Sequence, residues 1–133
     1  SIRETATNAI QELIMLGDYN HQKFGQMNPA VMFDIQKYYP KSWTVLREHH
    51  DQFVFNFMVE NIKQGTKQGL YREDLDGELV SRFFCLHIDH VDELVGSNQK
   101  FDFGHLVNTH INYHIHGIAS KKGLTVWNKA KKQ

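Results

Sequence analysis

The sequence predicts an all-α domain of five main helices and a short C-terminal one. Three observations carry this. Apolar residues recur at three- and four-residue steps along most of the 133-residue chain. Pro, Gly, Asn and Asp interrupt that pattern at helix-length intervals. No stretch alternates polar and apolar residues as a half-buried strand does; residues 53–59 have strand-like composition, but their flanks continue at helical period. The length suits one domain, residues 1–133.

The first helix is expected over residues 3–26. Ala6, Ile10, Leu13, Ile14 and Leu16 form its apolar stripe, with Gln11 and Glu12 outside, and Gly25 stands at its C-cap. Asn28 as N-cap with Pro29 behind it starts a second helix, carrying Val31, Met32, Phe33, Ile35 and Tyr38. Pro40 stops it at Tyr39. The third helix restarts at once and runs to about Gln68. Its segment from Phe53 to Ile62 is apolar over an arc of roughly 240°, which predicts a helix with neighbours on several sides. Gly69 is its expected left-handed cap, and Asp76 the N-cap of a fourth helix, Gly77 to Val95. Asp102 is the expected N-cap of the fifth helix, which breaks at Gly117. Ser120 then caps a short terminal segment containing Leu124 and Trp127, with five lysines in a solvated, frayed tail.

Composition excludes several classes. Hydrophobic residues make up 41% and charged residues 23%, as in ordinary globular chains. Fifteen basic and fifteen acidic residues cancel, so no global charge points to nucleic acid or to a membrane surface. Cys85 stands alone, which excludes an intramolecular disulfide and fits a reducing, cytoplasmic compartment. No apolar run approaches the roughly 20 residues that span a bilayer, and residues 1–20 lack a signal-peptide pattern. Ser1 opens almost directly into helical periodicity, which reads as a trimmed piece of a longer protein.

The fourth and fifth helices are too apolar for one buried side. Leu79, Val80, Phe83, Phe84, Leu86, His87, Ile88, His90, Val91, Leu94 and Val95 span roughly 200° of the fourth, against a stripe of about 100° for a helix packed once. Phe103, Leu106, Val107, His110, Ile111, Tyr113, His114, Ile115 and Ile118 do the same on the fifth, with His105, Asn108, Thr109, Asn112 and His116 on its polar side. Half of each arc covers the chain's own core. The other half predicts a symmetric homodimer through a four-helix interface. The expected interface residues are Phe83, His90, Leu94, Phe103, Leu106, His110 and Tyr113.

Three segments then carry a family resemblance: NPAVMFDIQKYYPKSW (28–43), GTKQGLYREDLD (65–76) and INYHIHGIASKKGL (111–124). Together they resemble the C-terminal half of TetR-type transcriptional regulators, in a bacterial branch with a Phe-Asp-Leu-Gln-Lys-Tyr-Tyr-Pro type segment and a Tyr-His-Ile-Arg-Gly-Ile-Ala type ending. His116 stands where that ending carries Arg. The resemblance implies a TetR-like C-terminal helical bundle for effector binding and dimerisation. It also implies operator DNA as a partner only through an N-terminal helix-turn-helix domain that these 133 residues do not contain. A small hydrophobic effector would bind among the first four helices and release a repressor from DNA. Phe33, Tyr38, Phe53, Phe57, Met58, Phe84 and His87 are the expected pocket lining, apolar walls with a few polar groups.

Nine histidines invite a metal. His87 and His90 are i, i+3, and His110 and His114 are i, i+4, spacings at which helical histidines chelate Zn²⁺. A site needs three or four ligands, and Asp89, Asp92 and Glu93 fall on the opposite arc of their helix. The expectation is therefore no metal, no cofactor and no enzyme. A small helical-bundle metalloprotein or enzyme using those His pairs is the alternative. His49, His50 and Asp51 face different ways on a helix and are expected to be solvated. Ser81 and Ser97 lack recognisable triad partners, and Cys85, on the polar arc, is expected to be inert.

Overall fold

A computed structural model describes residues 2–24, 29–97 and 103–132; the side chains of residues 20, 21, 23, 24, 29, 30, 32, 88–97 and 103 fall outside that description. Seven helices make up the described chain: α1 (Ile2–Thr5), α2 (Ala9–Phe24), α3 (Pro29–Tyr38), α4 (Pro40–Lys67), α5 (Gly77–Ser97), α6 (Phe103–Ile118) and α7 (Lys121–Lys131). The fold is an all-α bundle, and no strand is present among the described residues. Nor is any described helix long and apolar enough to cross a membrane.

The bundle centres on α2 and α6, which run against each other; α4 packs on α2 and α5, and α5 on α6. Ala9, Ile10, Leu13 and Leu16 of α2 meet Val107, Ile111, Ile115 and Ile118 of α6 in one core. Val54, Phe57, Met58 and Ile62 of α4, Phe84 of α5 and Trp127 of α7 complete it.

The predicted boundaries hold in most places. Gly69 takes φ +73°, the left-handed conformation that ends α4 at low steric cost. Asp76 Oδ1 accepts the Leu79 N–H at 3.1 Å and so caps α5. Ser120 Oγ accepts the Gly123 N–H at 3.1 Å and starts α7. The expected caps at Gly25, Asn28 and Asp102 lie outside the described residues.

Four expectations change. The predicted helix 3–26 is broken at residues 6–8. Asn8 Oδ1 accepts the Gln11 N–H at 2.8 Å, while Gln11 Oε1 accepts the Thr7 N–H at 2.7 Å, a reciprocal cap that starts α2 afresh. Gly117 does not break α6, which continues to Ile118. The lysine tail is not frayed: α7 is held by Trp127, which is buried while the lysines stay exposed. Only the second half of α4 lies inside the bundle; Val45, Leu46 and Phe53 are exposed.

Glu12, expected outside, is 1% exposed. Its Oε1 accepts from Asn61 Nδ2 at 2.8 Å, and Arg3 Nε reaches its Oε2 at 3.4 Å. Asn61 Nδ2 also donates to the Ala9 carbonyl at 2.8 Å, and its Oδ1 accepts the Tyr71 hydroxyl at 2.6 Å. Burial, ahead of the Glu12 charge, pushes the Tyr71 phenol far above its ordinary range. One buried network thus joins α1, α2, α4 and the turn after α4. The Tyr71 ring lies over Gly65, where a Cβ would collide with it.

Candidate functional site

α5 has two apolar faces. Val80, Ser81, Phe84 and Cys85 turn inward, so Cys85 packs against the core instead of lying on the polar side. The Ser81 hydroxyl is spent on the Gly77 carbonyl at 2.7 Å. Leu79, Phe83 and Leu86, at steps of four and three, point outward; Phe83 is 52% and Leu86 54% exposed. α6 repeats the division. Val107, Ile111, Ile115 and Ile118 are buried, Leu106 and His110 are half-buried, and Tyr113 is 72% exposed. Of the residues expected at an interface, Phe83 and Tyr113 are open and Leu106 and His110 partly open. His90, Leu94 and Phe103 have side chains outside the described set.

Histidines cluster where α5 meets α6. The Phe84 ring stacks on His110 at 4.3 Å between centroids and meets His114 edge-on at 4.9 Å, and His87 lies edge-on to His110 at 5.2 Å. His110 Nε2 lies 3.1 Å from the Phe84 carbonyl oxygen. A carbonyl only accepts, so Nε2–H donates and Nδ1 holds the lone pair of the neutral ring. Burial lowers the His110 pKa, with the neighbouring His87 charge adding to it and the bond to Phe84 opposing. His114 is driven down to about 3, first by burial and then by the charge of His110, and its Nε2 is buried without a hydrogen-bond partner among the described residues. Both rings are therefore neutral near pH 7 and act there as aromatic packing. Among the described residues no three His, Cys, Asp or Glu side chains gather as metal ligands do.

The residues of the expected pocket lining fall in two environments. Phe57, Met58 and Phe84 are core residues. Phe33, Tyr38 and Phe53 are each at least 60% exposed on α3 and the first half of α4, and His87 is exposed beside His110. For Phe53 the reason is the length of α4. It leaves the core near Val54, so apolar residues of one helix end in two environments. Arg82 instead covers Phe55, its guanidinium 4.0 Å from the ring centroid. His49 and His50 are exposed, as expected for that pair.

An open groove that sequence reasoning did not anticipate lies between α6 and α7, with a volume of about 440 Å³. Asn108, Asn112 and His116 of α6 and Trp127, Asn128 and Lys131 of α7 are among its lining residues. The α6 members repeat every four residues along the side read as polar, which was the available signal. What the sequence did not reveal is that this side faces a helix. The chain matches no family model, no curated protein and no solved structure in the comparisons made.

Proposed function

We propose that this chain is the ligand-sensing and homodimerisation domain of a bacterial TetR-family transcriptional regulator, a cytoplasmic repressor released from its operator by a small hydrophobic effector. The observation that carries the reading is the outward apolar stripe of Leu79, Phe83 and Leu86 on α5, with Tyr113 exposed on α6, two helices already packed together. Exposed apolar side chains in that register suit a self-complementary four-helix seam. The resemblance of segments 28–43, 65–76 and 111–124 supplies the regulatory role. The exposed apolar side chains of α3 and the first half of α4 (Phe33, Tyr38 and Phe53 among them) are where an effector would be received. No catalytic role is assigned to the chain.

Sedimentation velocity tests the dimer. The chain is expected to sediment as a dimer, and Phe83→Glu to sediment as a folded monomer, since two carboxylates would be buried at the seam. A monomeric parent chain sinks the reading. The transcription part is tested separately, by whether a helix-turn-helix domain is encoded upstream of Ser1.

A further inference from the structure

The groove between α6 and α7 is lined largely by side chains that form hydrogen bonds. No carboxylate is among its lining residues; amides, imidazoles, a hydroxyl and one ammonium are. Charge is also segregated along the chain. Residues 121–133 hold five lysines and no acid, leaving ten basic against fifteen acidic residues in the rest. A neutral protein thus concentrates positive charge on the helix that forms one wall of this groove.

The walls are fixed from beneath. Trp127 is buried, with the His116 ring edge-on to it at 6.5 Å and the Lys131 ammonium 4.8 Å from its ring centroid. His116 Nδ1 lies 2.7 Å from the Asn112 carbonyl, an acceptor, so Nδ1–H donates and the ring is held in place, with Nε2 its other polar atom. One indole therefore positions both the imidazole and the ammonium, and holding donors in advance reduces the ordering that a ligand must impose.

We infer that this groove is a binding site for a small polar anion, a carboxylate or phosphate group on a hydroxyl-bearing body. Lys131 would supply the charge and Asn112, Asn128 and His116 the directional hydrogen bonds. Its hydrogen-bonding side chains and single ammonium suit a ligand unlike the hydrophobic effector proposed above, and the inference stands without the regulator reading.

Titration calorimetry with inorganic phosphate and with citrate, at constant ionic strength set with KCl, tests it. Saturable binding of one equivalent per chain is expected. Lys131→Ala should weaken it by about tenfold, the loss of one charge-assisted contact, and Lys121→Ala, on an exposed lysine outside the lining, should not. A preference for citrate identifies an organic acid, and equal binding identifies the oxyanion alone. Should Lys131→Ala unfold the chain, the fluorescence of Trp127 in a Trp43→Phe background reads the same site, with a saturable change expected. Absence of saturation, or equal weakening by Lys121→Ala and Lys131→Ala, overturns the inference.

Discussion

The two halves of α4 differ in composition and in what surrounds them. From Val54 onward the helix buries Phe57, Met58, Asn61 and Ile62 against α2 and its neighbours. Before that point Val45, Leu46 and Phe53 stand exposed, with α3 as a packed neighbour. The difference begins in the sequence: residues 47–52 are an unbroken polar run, whereas residues 53–62 are mostly apolar. It is completed by the elements that arrive to cover the second half, and by Asn61, a polar residue that ties that half to α2 and to the turn after α4. The broad apolar arc of residues 53–62 finds most of its partners within the chain, whereas Val45 and Leu46, set beside a polar run, stay exposed.

The sharpest way to break this contrast is Asn61→Ala. It leaves the Glu12 carboxylate without its amide and the Tyr71 hydroxyl without its acceptor, so a loss of about 3 kcal/mol is expected in urea unfolding. A loss below about 1 kcal/mol would show that the network does not hold the covered half. Next comes pH. His114 titrates near 3 in the fold and near 6.5 when unfolded, so below pH 6.5 the unfolded chain binds the extra proton. Stability should fall by about 1 kcal/mol per pH unit from 6.5 toward 4, and His114→Phe should flatten that slope in thermal melts taken across this range. The smallest effect belongs to the uncovered half. Phe53→Ala should change stability by less than about 0.5 kcal/mol. A cost near 2 kcal/mol would mean that Phe53 is covered in solution, and the two halves would no longer differ.

Much of the fold was legible because it rests on local rules. Pro29, Pro40, Gly69, Asp76 and Ser120 act within a few residues of themselves, and all mark the boundaries expected of them. Glu12 was not legible. A glutamate at that position reads as solvated unless its partners are known, and Asn61 lies 49 residues away. The break in the first helix is masked too: Asn8 and Gln11 carry the spacing of a reciprocal cap, but the apolar period of Ala6 and Ile10 continues across it. The groove failed for a third reason. Polar residues on one side of α6 look the same whether they face water or a second helix, and only packing separates the two cases.

The turn after α4 and the start of α7 are stitched together by the backbone. The Arg72 N–H donates to the Ile118 carbonyl at 2.8 Å, the Ser120 N–H to the Leu70 carbonyl at 2.9 Å, and the Ser120 hydroxyl to the Gly69 carbonyl at 2.6 Å. Arg72 adds a bond to the Gly117 carbonyl while gripping Asp74, whose carboxyl it holds below the usual range. These bonds close a loop of roughly fifty residues that contains all of α5 and α6, an entropic cost of about 3.5 kcal/mol in chain closure. Contacts so distant in sequence form slowly compared with helix turns. Refolding should therefore show helix signal before this clasp closes, and the α5–α6 hairpin should acquire its fixed placement, with its outward stripe, as a late event.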